Sequence, residues 1–290
     1  MYKLLAIDLD GTLLNSLGEV SLNTRKALLE AKEKGIEIVL SSGRTIDSVK
    51  NLAIELGVDN YLISGNGAVV YDIQNEEIIY DQFLSKEKVL EIVKICEENS
   101  FYYNIYTETE IVTKSLSYNV LFYHNENLKK PEQKRTSINV VTDVEKYIKE
   151  YDKEKFLKIT ICEKEKFIFN SILRKINQIK DLDILETEFM SRKQVRNGSD
   201  LIPIEYYYTE ITNTNVNKWT ALEYLMEKLN IKPEEVVAIG DNMNDREMIE
   251  NAGLGIVMGN SNPQMKELGN IIVSDNNSEG VCEAIEQYIL

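Results

Sequence analysis

From Lys3 the chain reads KLLAIDLD, an apolar run that turns acidic only toward its end, as a strand covered on both faces does. SLNTRKALLEAKEKG then repeats apolar positions at helical spacing, with Ser21 placed to cap the start and Gly35 to end it. IEIVLSS predicts a second strand and TIDSVKNLAIELG a second helix closing at Gly57. NYLISGNG and AVVYD predict two further short strands. The rhythm returns near the C-terminus. There KWTALEYLMEKLN reads as a helix, EVVAIGD as a strand, DREMIENAG as a helix, GIVMGN as a strand and EGVCEAIEQYI as a last helix. Strands alternating with helices of this length imply a parallel sheet with helices on both faces.

The middle of the chain has another pattern. SKEKVLEIVKICEENS and EKFIFNSILRKINQI carry helical periodicity, but between and after them lie SFYYNIYTETEIVTK, KFLKITICEK and LDILETEF. Those stretches are β-branched, tyrosine-rich and partly alternating, which predicts an antiparallel sheet with one wet face. The expected fold class is α/β, a three-layer Rossmann-like parallel-sheet core over 1–82 and 210–290, interrupted by an inserted α+β domain over 83–209. Charge supports the division. Of the formal net charge of −15, residues 83–209 contribute nothing, with 21 basic and 21 acidic side chains, and they hold 10 of the 16 tyrosines.

Composition excludes several classes. At 43% hydrophobic and 28% charged residues, the 290-residue chain is that of a globular protein. The acidic balance leaves no basic footprint for nucleic acid. No apolar run reaches the length of a membrane span, and Met1 leads straight into a strand-like run, so a cytoplasmic location is expected. Cys96, Cys162 and Cys282 have no metal-ligand or disulfide spacing and read as small buried hydrophobes.

Candidate chemistry gathers at strand ends. Asp8 and Asp10 close the first strand, Ser41 to Arg44 the second, and Gly240 to Asp245 the strand EVVAIGD. In open α/β sheets the ligand crevice lies outside the carboxyl ends of the strands. One such tip is readily a satisfied turn, because Asp and Ser cap local backbone. Three converging tips bring together Asp8, Asp10, Asp241 and Asp245, whose repulsion requires a counter-charge. All-oxygen ligands suit Mg²⁺, alongside a phosphate. Lys218 adds positive charge, and Ser42 with backbone N–H groups at strand–helix turns offers phosphate donors. The chemistry indicated is phosphoryl transfer through an aspartyl-phosphate.

DLDGT, SSGR, Lys218 and GDNMND, in this order, resemble the four motifs of the haloacid dehalogenase (HAD) superfamily of phosphatases. ISGNGA, NDREMIENAG and a large α/β insert between the second and third motifs are similar to its Cof-type branch, subclass IIB. The resemblance implies that Asp8 is the nucleophile and Asp10 the acid and base. It implies that Mg²⁺ is held by the Asp8 carboxylate, the Asp10 backbone carbonyl and Asp241. Ser42, Lys218 and Asn244 would bind phosphoryl oxygens, with Asp245, Gly43 and Asn66 supporting them. Two aspartates two positions apart on a strand are expected to point to one face and flank the phosphoryl group.

The chain departs from the branch pattern in three places. Ser42-Gly43-Arg44 stands where Thr-Gly-Arg is common, with the hydroxyl kept. Trp219 follows Lys218 in place of a small residue, and ITNTNVNK before it lacks the usual Pro and Gly. Arg44 either pairs with acidic neighbours or touches substrate. Asn66 either supports a left-handed turn between Gly65 and Gly67 or faces substrate. His124, the single histidine, reads as a surface residue of a polar loop. Arg192, Lys193 and Arg196 read as a solvated loop or as a contact for the anionic end of a substrate. The insert's tyrosines are expected to build its sheet, with a minority free to stack on a sugar-like ligand.

The expected activity is that of a Mg²⁺-dependent phosphatase acting on small phosphorylated metabolites, sugar phosphates foremost, with the insert as a lid. No obligate protein partner is implied. A phosphomutase or a phosphatase dedicated to one sugar phosphate stays open, since the same aspartyl-phosphate serves both. A non-catalytic phospholigand sensor would not require Asp10.

Overall fold

The computed structural model describes residues 2–132, 135–185, 191–197 and 200–290, with backbone alone for 191–204. The side chains of Arg192, Lys193 and Arg196 therefore lie outside the described ones. The chain divides into two compact units, Met1–Asp81 with Val216–Leu290, and Gln82–Asn215. Among the described residues no helix is long and apolar enough to cross a membrane.

The first unit opens with β1 (Leu4–Asp8), α1 (Leu22–Glu33), β2 (Glu37–Ser41), α2 (Ile46–Leu56), β3 (Tyr61–Ser64), β4 (Val69–Asp72) and β5 (Glu77–Asp81). The second comprises α3 (Lys86–Glu98), β6 (Tyr102–Thr107), β7 (Glu110–Thr113), α4 (Tyr118–Asn127), β8 (Ser137–Val140), α5 (Val144–Glu150), β9 (Phe156–Glu163), α6 (Lys166–Ile176), β10 (Leu182–Ile184), β11 (Ser191–Asn197) and β12 (Asp200–Asn213). The first unit then resumes with α7 (Lys218–Leu229), β13 (Val236–Gly240), α8 (Arg246–Asn251), β14 (Leu254–Val257), α9 (Pro263–Lys266), β15 (Ile271–Ile272) and α10 (Gly280–Tyr288).

In the first unit the strand order is β15-β14-β13-β1-β2-β3-β4-β5. Pairing is parallel from β15 to β3. Leu5, Ile7, Leu40 and Ile239 face a cluster with Leu28, Val49, Ala53 and Ile285 from α1, α2 and α10. Their neighbours Leu4, Ala6, Val39 and Ala238 face Trp219, Leu222, Leu225 and Met248 from α7 and α8. Both faces are thus buried, which is why these strands read as continuous apolar runs. The helix signals hold locally: Ser21 Oγ accepts from Thr24 N at 3.1 Å at the start of α1. Gly57 takes the left-handed conformation that ends α2.

Beyond β3 the sheet departs from the parallel pattern, since β4 and β5 run antiparallel. The reason is local. Gly65, Asn66 and Gly67 all have positive φ, at 63°, 59° and 102°, so the chain reverses at once and β4 returns beside β3. Register places the site: Asp8 pairs with Ser41, and Ile7 with Ile239, one residue before Gly240. The carboxyl ends of β1, β2 and β13 therefore lie side by side.

The second unit holds a sheet in the order β10-β12-β9-β6-β7-β8, with β11 pairing on β12. Ile105, Ile159, Ile161 and Ile211 pack on Ile92, Val93, Ile148, Phe169 and Ile172 of α3, α5 and α6. This unit departs from its sequence pattern in three respects. The sheet is mixed, because β7 and β8 pair in parallel across the crossover that contains α4. His124 lies on that helix, not in a loop. The other face is not simply wet either: Asn104, Lys158 and Thr160 are buried. Lys158 Nζ meets Glu210 Oε1 at 2.5 Å and sits 4.6 Å from the Tyr106 ring centroid. The three cysteines are free and buried. Of the predicted strand LDILETEF, 182–184 form β10, and 186–190 lie outside the described residues.

Candidate active site

β1 ends at Asp8, and the hydrogen bond from Leu13 N to Asp8 O begins a turn. Asp10 sits in that turn, past the end of the strand, and its charge still reaches Asp8. Their surroundings differ accordingly. Asp8 is buried, and its Oδ1 accepts from Lys218 Nζ at 2.5 Å. The Asp10 side chain is 47% exposed and accepts two hydrogen bonds from a guanidinium that is only 6% exposed. Arg44 Nε donates to its Oδ2 at 2.8 Å and Nη2 to its Oδ1 at 2.6 Å. That bidentate geometry resolves the reading of Arg44 toward an acidic partner.

Lys218 is fully buried at the first turn of α7. Asn217 caps the helix, its Oδ1 accepting from Thr220 N at 2.9 Å while its own N–H donates to Thr220 Oγ1. Gly67 backs this turn: a Cβ there would meet Asn217 O at 2.0 Å, so the close approach requires glycine. Trp219 points away into the cluster with Leu4, Ala6 and Val39. The bulky residue after the lysine therefore fills the core.

Lys218 Nζ is shared. Besides Asp8 it donates to Asp245 Oδ1 at 2.6 Å. The second Asp245 oxygen accepts from Asp241 N at 2.9 Å and Asn242 N at 3.1 Å, so Asp245 both orients the lysine and closes the turn after β13. Asp241 Oδ1 accepts from Thr12 Oγ1 at 3.1 Å. Ser42 is buried, its Oγ accepting from Arg44 N at 3.3 Å and its carbonyl from Asn66 N at 3.0 Å. Gly43 stands half-buried between Ser42 and Arg44. Asn66 has both a turn role, at φ 59°, and a partner, since Asn244 Nδ2 donates to its Oδ1 at 3.1 Å.

Electrostatics follow from this crowding. Burial and the Asp245 charge raise the Asp8 carboxyl to about 7 despite the opposing pull of Lys218. Burial, then Asp8 and Asp245, push Asp241 well above the usual carboxylate range. For Lys218 burial works against the charge, yet Asp245 and Asp8 outweigh it and hold the ammonium protonated. Four carboxylates, Asp8, Asp10, Asp241 and Asp245, stand against two cations, Lys218 and Arg44. Carboxylate oxygens of Asp8, Asp241 and Asp245 lie within 4.8 Å of one another. An all-oxygen cluster with surplus negative charge fits a hard divalent cation.

Thr12, Asn217 and Asn260 were not singled out from sequence. Asn217 carried a signal as a cap residue immediately before an apolar-periodic run. Asn260 carried one as well, because MGN ends a fourth core strand in the manner of the other tips. Thr12 belonged to DLDGT without a role of its own.

An α/β parallel-sheet fold with a carboxylate site at its strand tips is the class this structure defines. A family model for haloacid dehalogenase-like hydrolases matches residues 5–285, and the chain belongs to that family. It is an enzyme of the Cof-type phosphatase branch. Phosphatase YwpJ of Bacillus subtilis (strain 168) is 29% identical over 99% of this chain and 100% of its own length. The crystal structure of a haloacid dehalogenase-like hydrolase from Bacteroides thetaiotaomicron matches with a TM-score of 0.80 at 28% identity, covering 99% of both chains. The HAD subclass IIB sugar phosphatase BT4131 shares the fold, with a TM-score of 0.77 at 21% identity over 99% of this chain and 98% of its own.

Proposed function

We propose that the chain is a Mg²⁺-dependent phosphatase of small phosphorylated metabolites, with sugar phosphates the class to test first, and that it works through an aspartyl-phosphate on Asp8. The observation that carries this reading is the buried Lys218 held between Asp8 and Asp245 beside Asp241, a cluster with more negative charge than its own cations neutralise. Asp8, Asp241 and the Asp10 backbone carbonyl would hold Mg²⁺. When bound, the ion offsets the charge of nucleophile and phosphate, so that one anion approaches another.

An oxygen of Asp8 attacks phosphorus, the bond to the substrate oxygen breaks, and the departing alkoxide takes a proton from the Asp10 carboxyl, which carries that proton only with an oxygen released from Arg44. Asp10, now a carboxylate, removes a proton from water as that water attacks phosphorus. Inorganic phosphate leaves and Asp8 is restored. Lys218 Nζ, Ser42 Oγ and Asn244 Nδ2 bind the phosphoryl oxygens. Asp245 supports this by fixing Lys218, and Asn66 by fixing Asn244. The six-residue α8 begins directly after Asp245, so the motif GDNMND is spent on turn and lysine together.

The test is phosphate release from p-nitrophenyl phosphate with Mg²⁺ and with EDTA, in the wild type and in Asp8→Asn. Turnover is expected to fall by about 10⁴-fold or more in the variant, the scale seen when a covalent nucleophile is removed. Undiminished turnover would overturn the mechanism. Equal release of phosphate and alcohol from one sugar phosphate would exclude a mutase.

A further inference from the structure

The loop after β1 is tied down by asparagines from the far end of the chain. Asn260 Nδ2 donates to Gly11 O at 2.9 Å and lies 3.4 Å from Asp241 Oδ2. Its Oδ1 accepts from Asn276 N at 3.1 Å, and Asn276 Nδ2 donates to Leu14 O at 2.8 Å. Asn277 Oδ1 accepts from Ser16 N at 3.0 Å. Three backbone positions of the loop, the carbonyls of Gly11 and Leu14 and the amide of Ser16, are thus held from 260–277. Gly11 itself lies against the carboxylate: at φ 92°, a Cβ there would stand 2.4 Å from Asp241 Oδ2. The two oxygens of Asp241 are therefore directed separately, Oδ1 by Thr12 Oγ1 and Oδ2 by Asn260 Nδ2.

We infer that Asn260 is a positioning residue for the cation site, fixing at once the Asp241 carboxylate and the loop backbone that bears Asp10. The inference rests on the proposal that Asp241 and the Asp10 carbonyl hold Mg²⁺. Its physical basis is geometric. A carboxylate with one donor on each oxygen has its free lone pairs aimed, whereas one released from Asn260 rotates about its χ2 and presents them over a range of directions. The same amide keeps the Gly11 carbonyl, and with it the adjacent Asp10 peptide, at a set distance from Asp241. Asn260 is exposed, so it adds no buried apolar area, and its role in the fold is confined to these hydrogen bonds. Asn276 stands behind it as a second link.

The test uses the full chain and Mg²⁺ itself. Isothermal titration with MgCl₂ and the unfolding midpoint in EDTA are measured for the wild type, Asn260→Ala, Asn260→Ser and Asp241→Asn. Loss of an outer hydrogen bond to a metal-holding carboxylate weakens binding by about 10–100-fold. For an exposed amide the expected effect of Asn260→Ala is about 10-fold in the Mg²⁺ dissociation constant, with the midpoint in EDTA close to wild type. The turnover number at saturating Mg²⁺ should stay near wild type while the half-saturating Mg²⁺ concentration rises by the same factor. A purely structural role would do the reverse, lowering the midpoint in EDTA and leaving Mg²⁺ affinity alone, and that result overturns the inference. Should the alanine variant not fold, Asn260→Ser keeps a polar side chain that falls short of both acceptors and carries the same expectation. Unchanged Mg²⁺ affinity in either variant, with binding lost in Asp241→Asn, overturns the inference alone. Absence of Mg²⁺ binding by the wild type overturns the cation reading and this inference with it.

Discussion

Each unit of the chain buries a lysine against a carboxylate, and the two lysines sit in opposite electrostatic circumstances. In the insert, Lys158 meets Glu210 at 2.5 Å and lies over the Tyr106 ring. One cation faces one anion and an aromatic face, and nothing in that arrangement asks for a further charge. In the core, Lys218 is divided between Asp8 and Asp245, with Asp241 raised by the same pair of carboxylates. The lesson concerns balance. A buried ion pair whose charges cancel is explained by the sheet it sits in. One with surplus negative charge is a place prepared for something positive, and the raised carboxyls of Asp8 and Asp241 register that surplus.

Removing the cation should separate the two most sharply. Lys218→Met leaves Asp8 and Asp245 buried without their ammonium. It should lower p-nitrophenyl phosphate turnover by about 10³-fold or more and, in EDTA above neutral pH, cost about 3–5 kcal/mol of stability in urea unfolding. A variant with near-normal turnover would mean that the core pair is as structural as that of the insert.

The insert gives the middle-sized effect. Lys158→Met strands Glu210 and should cost about 3–5 kcal/mol, while the double variant Lys158→Met/Glu210→Leu should regain most of it, because both charges are then gone. Turnover of p-nitrophenyl phosphate in the double variant should remain within a few-fold of wild type, as measured beside the urea midpoint. Turnover loss as large as that of Lys218→Met would mean that the pair in the insert serves the reaction as well.

The smallest effect is a dependence on pH. A carboxyl raised in the fold from 3.8 to about 7 favours the folded state when protonated. That contribution is complete below the unfolded value and is lost as pH rises through about 7. In EDTA the unfolding midpoint should therefore decline between about pH 5.5 and pH 8 on account of Asp8. Mg²⁺ requires the ionised carboxylates, so the rise in midpoint on adding Mg²⁺ should be larger at about pH 8 than at about pH 5.5. An equal or larger rise at the lower pH would contradict the assignment of Asp8 to the cation site. Asp8→Asn should flatten the decline in EDTA.

Much of the core was legible because both faces of its strands are buried, which leaves continuous apolar runs with polar tips. β4 escaped the parallel reading because its direction depends on three successive positive φ values at Gly65, Asn66 and Gly67, a backbone matter that hydrophobic pattern does not record. α4 escaped for a different reason. Its segment YNVLFYHNEN buries only Asn119 and Val120, so no apolar stripe at helical spacing marks it. At the site, residue types and order identified Asp8, Asp10, Ser42, Lys218, Asp241, Asn244 and Asp245 as a group. They did not tell which acid meets which base. Asp10 was read as a strand position, and it stands in the turn that starts at Asp8, where Arg44 holds it.

The linear sequence by itself determined the alternation of buried strands and helices, the acidic strand tips and the family they mark, since each depends on residue type at short spacing. The tertiary structure alone decided how charge is shared. Lys218 meets Asp8 from 210 positions away, and Asn260 reaches Gly11 across 249. Contacts of that separation arise only when parallel register brings β1, β2 and β13 to one end of the sheet. Coulombic and hydrogen-bond energies depend on distance in space and on burial, and neither is a property of position along the chain.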